Sequence, residues 1–208
     1  MGRSVTVTGF GHASGTYDQA TLRLAAVARA ANPGDATARA TYAMASMREV
    51  VLRGGVEEAA LSTTNVSLSP VHDPWPTVVA YEATLGLAVK VRDLSSIGSL
   101  LVAAVESGGD GARVDGIEFT HKDPAALQRA ARESAFADAL AKAEQFAGLA
   151  GQALGEVRHV LEGAGAMPSP RGRVMMAMAD ASGGAPIDAG EGSISAVVTV
   201  TWALGPAV

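Results

Sequence analysis

From Val79 to Val91 every second side chain is apolar: Val79, Tyr81, Ala83, Leu85, Leu87, Val89 and Val91, with Glu82, Thr84, Lys90 and Arg92 on the opposite face. A two-residue period held over this length belongs to an extended strand with one buried and one wetter face, so the chain has to build a sheet and cover one side of it. The same alternation closes the sequence at Ile194, Ala196, Val198, Val200, Trp202 and Leu204, and opens it at Val5-Thr6-Val7-Thr8 ahead of Gly9-Phe10-Gly11. Long strands therefore bracket the chain.

Between them the spacing turns helical three times. Asn32-Pro33-Gly34 makes a turn, and Asp35 is placed to cap a helix through Arg53 whose Ala40, Ala43, Met44, Met47 and Val51 recur at helical intervals before Gly54-Gly55 stops it. Asp93 is placed to cap a shorter helix through Val105, with Leu94, Ile97, Leu101 and Val105 inward. Asp123-Pro124 opens the longest helix, which Gly148 or Gly151 ends. Residues 18–31 carry Leu22, Leu24, Ala26 and Ala28 in alternation and read as a strand, although so many alanines would also suit a helix. Further strands are expected at 61–71, 114–120 and 157–161.

The resulting order, ββαββαβαββ, is that of an α+β chain: two small two-layer α/β units sharing long antiparallel strands. The expected division is 1–76 with 187–208 as the first unit, 77–164 as the second, and 165–186 as a flexible loop. Pro168, Pro170, Gly172 and Pro186 break any period across that loop, which is long for a structureless connection and is expected to be mobile or engaged in assembly. In the long helix, at about 100° per residue, Leu127, Ala130, Ala131 and Ser134 fall on one side. Phe136, Leu140, Ala143 and Ala147 fall on nearly the opposite side, while Asp138 and Lys142 take the former face. A helix lying on one sheet keeps one stripe, so its second half is expected to pack against a different body, a subdomain or another subunit.

Composition removes several classes of function. Of the 208 residues 48% are hydrophobic but only 4% aromatic, so the core must be made of Ala, Val and Leu at close backbone separations. A net charge of -5 without a basic stripe argues against nucleic acid as a partner. With no cysteine, disulfides, thiolate nucleophiles and cysteine-ligated metals are excluded. Met1-Gly2-Arg3-Ser4 passes directly into alternating Val and Thr, unlike a secretory leader, and no apolar run is long enough for a membrane helix. The expectation is a cytoplasmic protein with no membrane span.

No motif supplies a matched acid, base and nucleophile. Gly9-Phe10-Gly11-His12-Ala13-Ser14-Gly15 approximates a dinucleotide loop, but such a loop needs a helix starting at its end and then a strand with an acidic residue. Residues 36–53 read as a helix instead, so Gly9 and Gly11 read as a turn closing the first strand. His12, His72, His121 and His159 stand in separate segments without ligand spacing, and no Gly-x-Ser-x-Gly elbow occurs. Glu57-Glu58 and the scattered Asp residues read as caps and solvated faces. Met175, Met176 and Met178, near Met167, form the most unusual local cluster. Thioethers there suit a soft metal such as copper(I), an adaptable protein contact, or plain packing.

The chain as a whole resembles the SIMPL-domain family. The resemblance is carried by Val5-Thr6-Val7-Thr8-Gly9-Phe10-Gly11, Gly54-Gly55-Val56 leading to Leu61-Ser62-Thr63-Thr64, Tyr81-Glu82-Ala83 entering Leu87-Ala88-Val89-Lys90-Val91-Arg92-Asp93-Leu94, and Gly116-Ile117-Glu118-Phe119. Ala139-Leu140-Ala141-Lys142-Ala143, Leu154-Gly155-Glu156-Val157, Ile187 and Gly190-Glu191 continue it nearly to the end. It implies two small α/β units, frequent export, a loose link to oxidative-stress defence and ring- or channel-like homo-oligomers in some members, with no agreed catalytic residues to transfer. The reading is a non-enzymatic self-associating protein with a scaffold or stress-linked role, without cofactor. The alternative is a small-ligand or copper(I)-binding protein.

Overall fold

The computed structural model describes residues 2–163 and 187–207. Along them run β1 (Ser4–Thr16), β2 (Gln19–Ala30), α1 (Pro33–Arg53), β3 (Leu61–His72), β4 (Val78–Val91), α2 (Ile97–Gly108), β5 (Ala112–Thr120), α3 (Ala125–Leu149), β6 (Gln152–Glu162) and β7 (Glu191–Ala207). The order ββαββαβαββ and the α+β class are those expected. The strands form two antiparallel sheets, β1-β7-β6 and β3-β4-β2-β5, and among the described residues no strand belongs to both.

The division into units differs from the expected one. β1, α3, β6 and β7 make one unit; β2 through β5 with α1 and α2 make the other. A boundary at 76 fails because β4 pairs with β3 on one side and with β2 on the other, tying residues before and after that position into one sheet. β1 leaves its sequence neighbours to pair along its whole length with β7, Ser4 opposite Ala203 and Thr16 opposite Glu191.

In the larger unit α1 and α2 lie on one face of the sheet. Met47, Val51, Ile97, Leu100 and Ala104 meet Leu22, Leu24, Leu87 and Val89 in a core from which water is excluded. Asn32, not Asp35, caps α1: its Oδ1 accepts the Asp35 N–H at 2.8 Å, and Pro33 fills the first turn, where its missing N–H costs nothing. Asp93 does accept from the Ser95 N–H. It opens a 3₁₀ turn, Leu94–Ser96, ahead of α2. That tighter turn shifts the phase of the helix, so Ile97, Leu100 and Ala104 are buried and Val105, expected inward, is exposed.

The smaller unit is built on close approach. Gly9 and Gly11 are not in a turn; they lie inside β1. A Cβ at Gly9 would sit 2.1 Å from the Ala135 carbonyl oxygen, and one at Gly11 would sit 2.2 Å from the Ala131 carbonyl oxygen and 2.2 Å from the Ala135 nitrogen. These glycines are where the backbone of α3 rests on the strand. Facing them, Ala131, Ala135, Ala139, Ala143 and Ala147 are all buried, against Val7, Val198, Val200 and Trp202.

The apolar stripe of α3 therefore does not change sides. Each step of four residues rotates by about 40°, and Ala135 and Ala139 join the two halves into one drifting ridge. The helix crosses its sheet along this i±4 row, and both halves pack on the same three strands.

Alanine at Gly9 or Gly11 forces backbone against backbone, and overpacking of this kind costs about 3 kcal/mol or more. Urea unfolding of Gly9→Ala and Gly11→Ala should show that loss, with Gly55→Ala as a control, since a Cβ there meets no neighbour although the residue's positive φ carries its own smaller strain. Wild-type stability in the two strand variants refutes the packing account.

Candidate functional site

With α3 seated on Gly9 and Gly11, the segment presents no helix N-terminus to a phosphate, and the dinucleotide-loop geometry is absent. What the close approach creates is polar. The Phe10 N–H donates to Asp138 Oδ2 at 2.8 Å, and Lys142 Nζ donates to Asp138 Oδ2 at 2.6 Å and to the Thr8 carbonyl oxygen at 3.1 Å. The Lys142 ammonium also lies 5.1 Å from the centre of the Phe10 ring, a cation–π distance. Hydrogen bonds from Lys142, then from the Phe10 amide, hold the Asp138 carboxyl below its ordinary value of 3.8, against a smaller opposing effect of burial.

β1 is an edge strand, and Thr8 and Phe10 turn their main-chain groups away from β7. α3 thus plugs this edge with one Asp–Lys pair. The other edges differ. β5 carries Arg113, Asp115 and Glu118, and β6 carries Glu156, Arg158 and Glu162, the charges that keep edges from pairing with foreign strands. β3, twelve residues long, carries no Lys, Arg, Asp or Glu.

Apolar side chains line that uncharged edge. Val66 is 71% exposed and Leu68 48%, and at the hairpin tip Trp75 is 77% exposed, its ring against His72. Val66 and Leu68 sit opposite Leu85 and Ala83 of β4, on the helix-bearing face. Their stripe runs on into a shallow groove of about 290 Å³ lined by Met44, Leu61, Leu85 and Leu87 and by the Arg48–Glu58 ion pair. The hairpin also reaches past its neighbour, for the pairing of β4 with β2 ends at Tyr81.

The remaining sequence candidates stay apart. His12 is in β1, His72 ends β3, His159 is in β6, and His121 lies in the segment leading into α3. Among the described residues no three His, Asp or Glu side chains are grouped as a metal would need. Met175, Met176 and Met178 lie outside the described residues. A concavity of about 590 Å³ borders Gly54, Gly55, Glu57, Lys90, Arg92 and Asp93. Asp93 is spent on Ser95, whose N–H and Oγ it accepts.

The model of the SIMPL family, described as a protein of unknown function, matches residues 5–202. The chain belongs to the SIMPL family. Two curated relatives are similar to it: the 26 kDa periplasmic immunogenic protein of Brucella melitensis and that of Brucella abortus. Each is 30% identical over 215 residues, covering 95% of this chain and 83% of the relative. No helix among the described residues of this SIMPL chain is long and apolar enough to cross a membrane.

Two features of this SIMPL domain escape a reading for catalytic motifs: the Asp138–Lys142 plug and the uncharged edge at Val66 and Leu68. The first is an i, i+4 pair that looks like any helix surface pair. The second is visible as a charge-free run from Leu61 to His72, once that run is known to be an edge.

The plug sets a pH test. Asp138 has a folded value below its unfolded one, so its contribution is fully present above 3.8 and is lost as pH falls through the lower folded value. Asp138→Asn should melt below wild type at neutral pH, with the gap closing only under pH 3.8. A gap that persists unchanged well below that point refutes the assignment.

Proposed function

We propose that this SIMPL-domain protein is a non-enzymatic, self-associating protein with a scaffold or stress-linked role. The observation that carries the reading is the β3–β4 hairpin. Between Leu61 and Tyr81 its only charged side chain is Asp73, and Val66, Leu68, Trp75, Val78 and Val79 are exposed. An uncharged edge that exposes apolar side chains such as Val66 and Leu68 is open to pairing with another strand. Homo-oligomers among SIMPL proteins, implied by the resemblance, point the same way.

Sedimentation of the full chain over a micromolar range should give a mass above 21.0 kDa that rises with concentration. A single 21.0 kDa species throughout overturns the proposal. The same measurement after deletion of 165–185 separates the loop from the main interface, because an unchanged assembly places the interface elsewhere. The relatives are named as periplasmic proteins, and fractionation of the source cells decides between that compartment and the cytoplasmic one expected above.

A small-ligand reading stands second, favoured by the concavity beside Lys90 and Arg92, for which no ion pair is found among the described residues. It predicts thermal stabilisation by a nucleotide or another anion, growing with ligand concentration. Including copper(I) in that screen tests Met175, Met176 and Met178, and a blank result across the set removes both ideas.

A further inference from the structure

We propose that β3 is the self-association edge and that two copies pair there antiparallel about Ser67, joining their four-stranded sheets. The proposal rests on the self-association reading and names its surface.

Three observations place the centre. The regular part of the edge is short: the ladder with β4 is interrupted between Thr63 and Asn65, and Pro70, which has no N–H to donate, stands beyond Ser69. The uninterrupted stretch is therefore Asn65-Val66-Ser67-Leu68-Ser69, whose middle residue is Ser67. Its apolar residues are symmetric about that middle, and both lie on the helix-bearing face, opposite Leu85 and Ala83. A two-fold axis through Ser67 sets Val66 against Leu68 of the partner subunit, and Asn65 against Ser69 of the partner subunit. Apolar meets apolar on one face and polar meets polar on the other, as a sheet requires.

Charge selects a second copy of the chain over a charged partner. β3 has no ionised side chain to repel its own duplicate or to attract an acidic or basic strand. The other three edges are defended, β5 and β6 by their charges and β1 by Asp138 and Lys142. The proline and the interruption limit the pairing to a few residues, so a defined contact forms rather than an open-ended ladder.

The chain contains no cysteine, which makes the register directly measurable. Full-length Ser67→Cys should give a covalent dimer on mild oxidation or with a short thiol-reactive spacer. Asn65→Cys alone and Ser69→Cys alone should stay monomeric on a denaturing gel, whereas an equimolar mixture of the two should link. In parallel, the Val66→Lys/Leu68→Lys double variant should weaken association by about tenfold or more. Because both positions are exposed, its circular dichroism should match wild type.

Linkage of Ser67→Cys no greater than that of Arg158→Cys on β6, with wild type still sedimenting as an oligomer, overturns the β3 interface and leaves self-association standing. Linkage of Asn65→Cys and Ser69→Cys each with itself, as strongly as Ser67→Cys, overturns the register. A wild type that is monomeric at every concentration overturns self-association and this interface with it.

Discussion

The contact between the α3 backbone and Gly9 and Gly11 determines more of the smaller unit than any other. With no Cβ on the strand and only alanine on the facing ridge, helix and sheet come closer than branched side chains would allow. That closeness brings the short carboxylate arm of Asp138 within 2.8 Å of the Phe10 amide, and Lys142 within 3.1 Å of the Thr8 carbonyl. A larger residue at position 9 or 11 would lift the helix and withdraw both groups. Edge protection at β1 is thus a consequence of glycine placement. Trp202, against which Phe136 rests at a centroid distance of 6.0 Å, fills volume that the alanines leave.

The larger unit solves the covering problem differently. Its main core joins Leu, Val, Ile and Met side chains to several alanines, and a second cluster of Ala36, Ala40 and Ala83 lies where the start of α1 meets β4. A packed helix occupies roughly 8–10 Å of width, about two strands at their spacing of about 4.8 Å. α1 lies over β4 and β2, and α2 over β5, so the helices run out before β3 is reached. Val66 and Leu68 point to the covered face of the sheet and still meet water. Their exposure follows from the count of helices against strands.

Period and punctuation made much of this architecture legible. The alternation at Val79 to Val91 and at Ile194 to Leu204, and the stops at Asn32-Pro33-Gly34 and Gly54-Gly55, report on local backbone, and the element order follows from them. Three failures share a cause: the deciding residue was distant or weakly apolar. Gly9-Phe10-Gly11 looks identical in a turn and under a helix, and what distinguishes them is an alanine ridge more than 120 residues later. That ridge was obscured because alanine contributes little to an apolar face, so Phe136 and Leu140 outweighed Ala135 and Ala139. The unit boundary was missed because strand pairing between β1 and β7 leaves no local trace. The site was less legible than the fold, since an unguarded edge is defined by charges that are absent and only matters once the strand order is known.

Closure follows from the same distribution of edges. A two-fold contact at β3 uses that edge once in each copy, and the three remaining edges carry charges or the Asp138–Lys142 plug. Strand addition then stops at a pair, in contrast to a heterologous contact, which continues unless its rotation closes. Any larger assembly must grow through another kind of surface. Phe146 and Leu149, 51% and 77% exposed at the end of α3, are apolar, lie on a helix, and leave every sheet edge untouched. In the dimer proposed above, main-chain pairing occupies the β3 edge, and only side-chain contacts are left for anything beyond a pair.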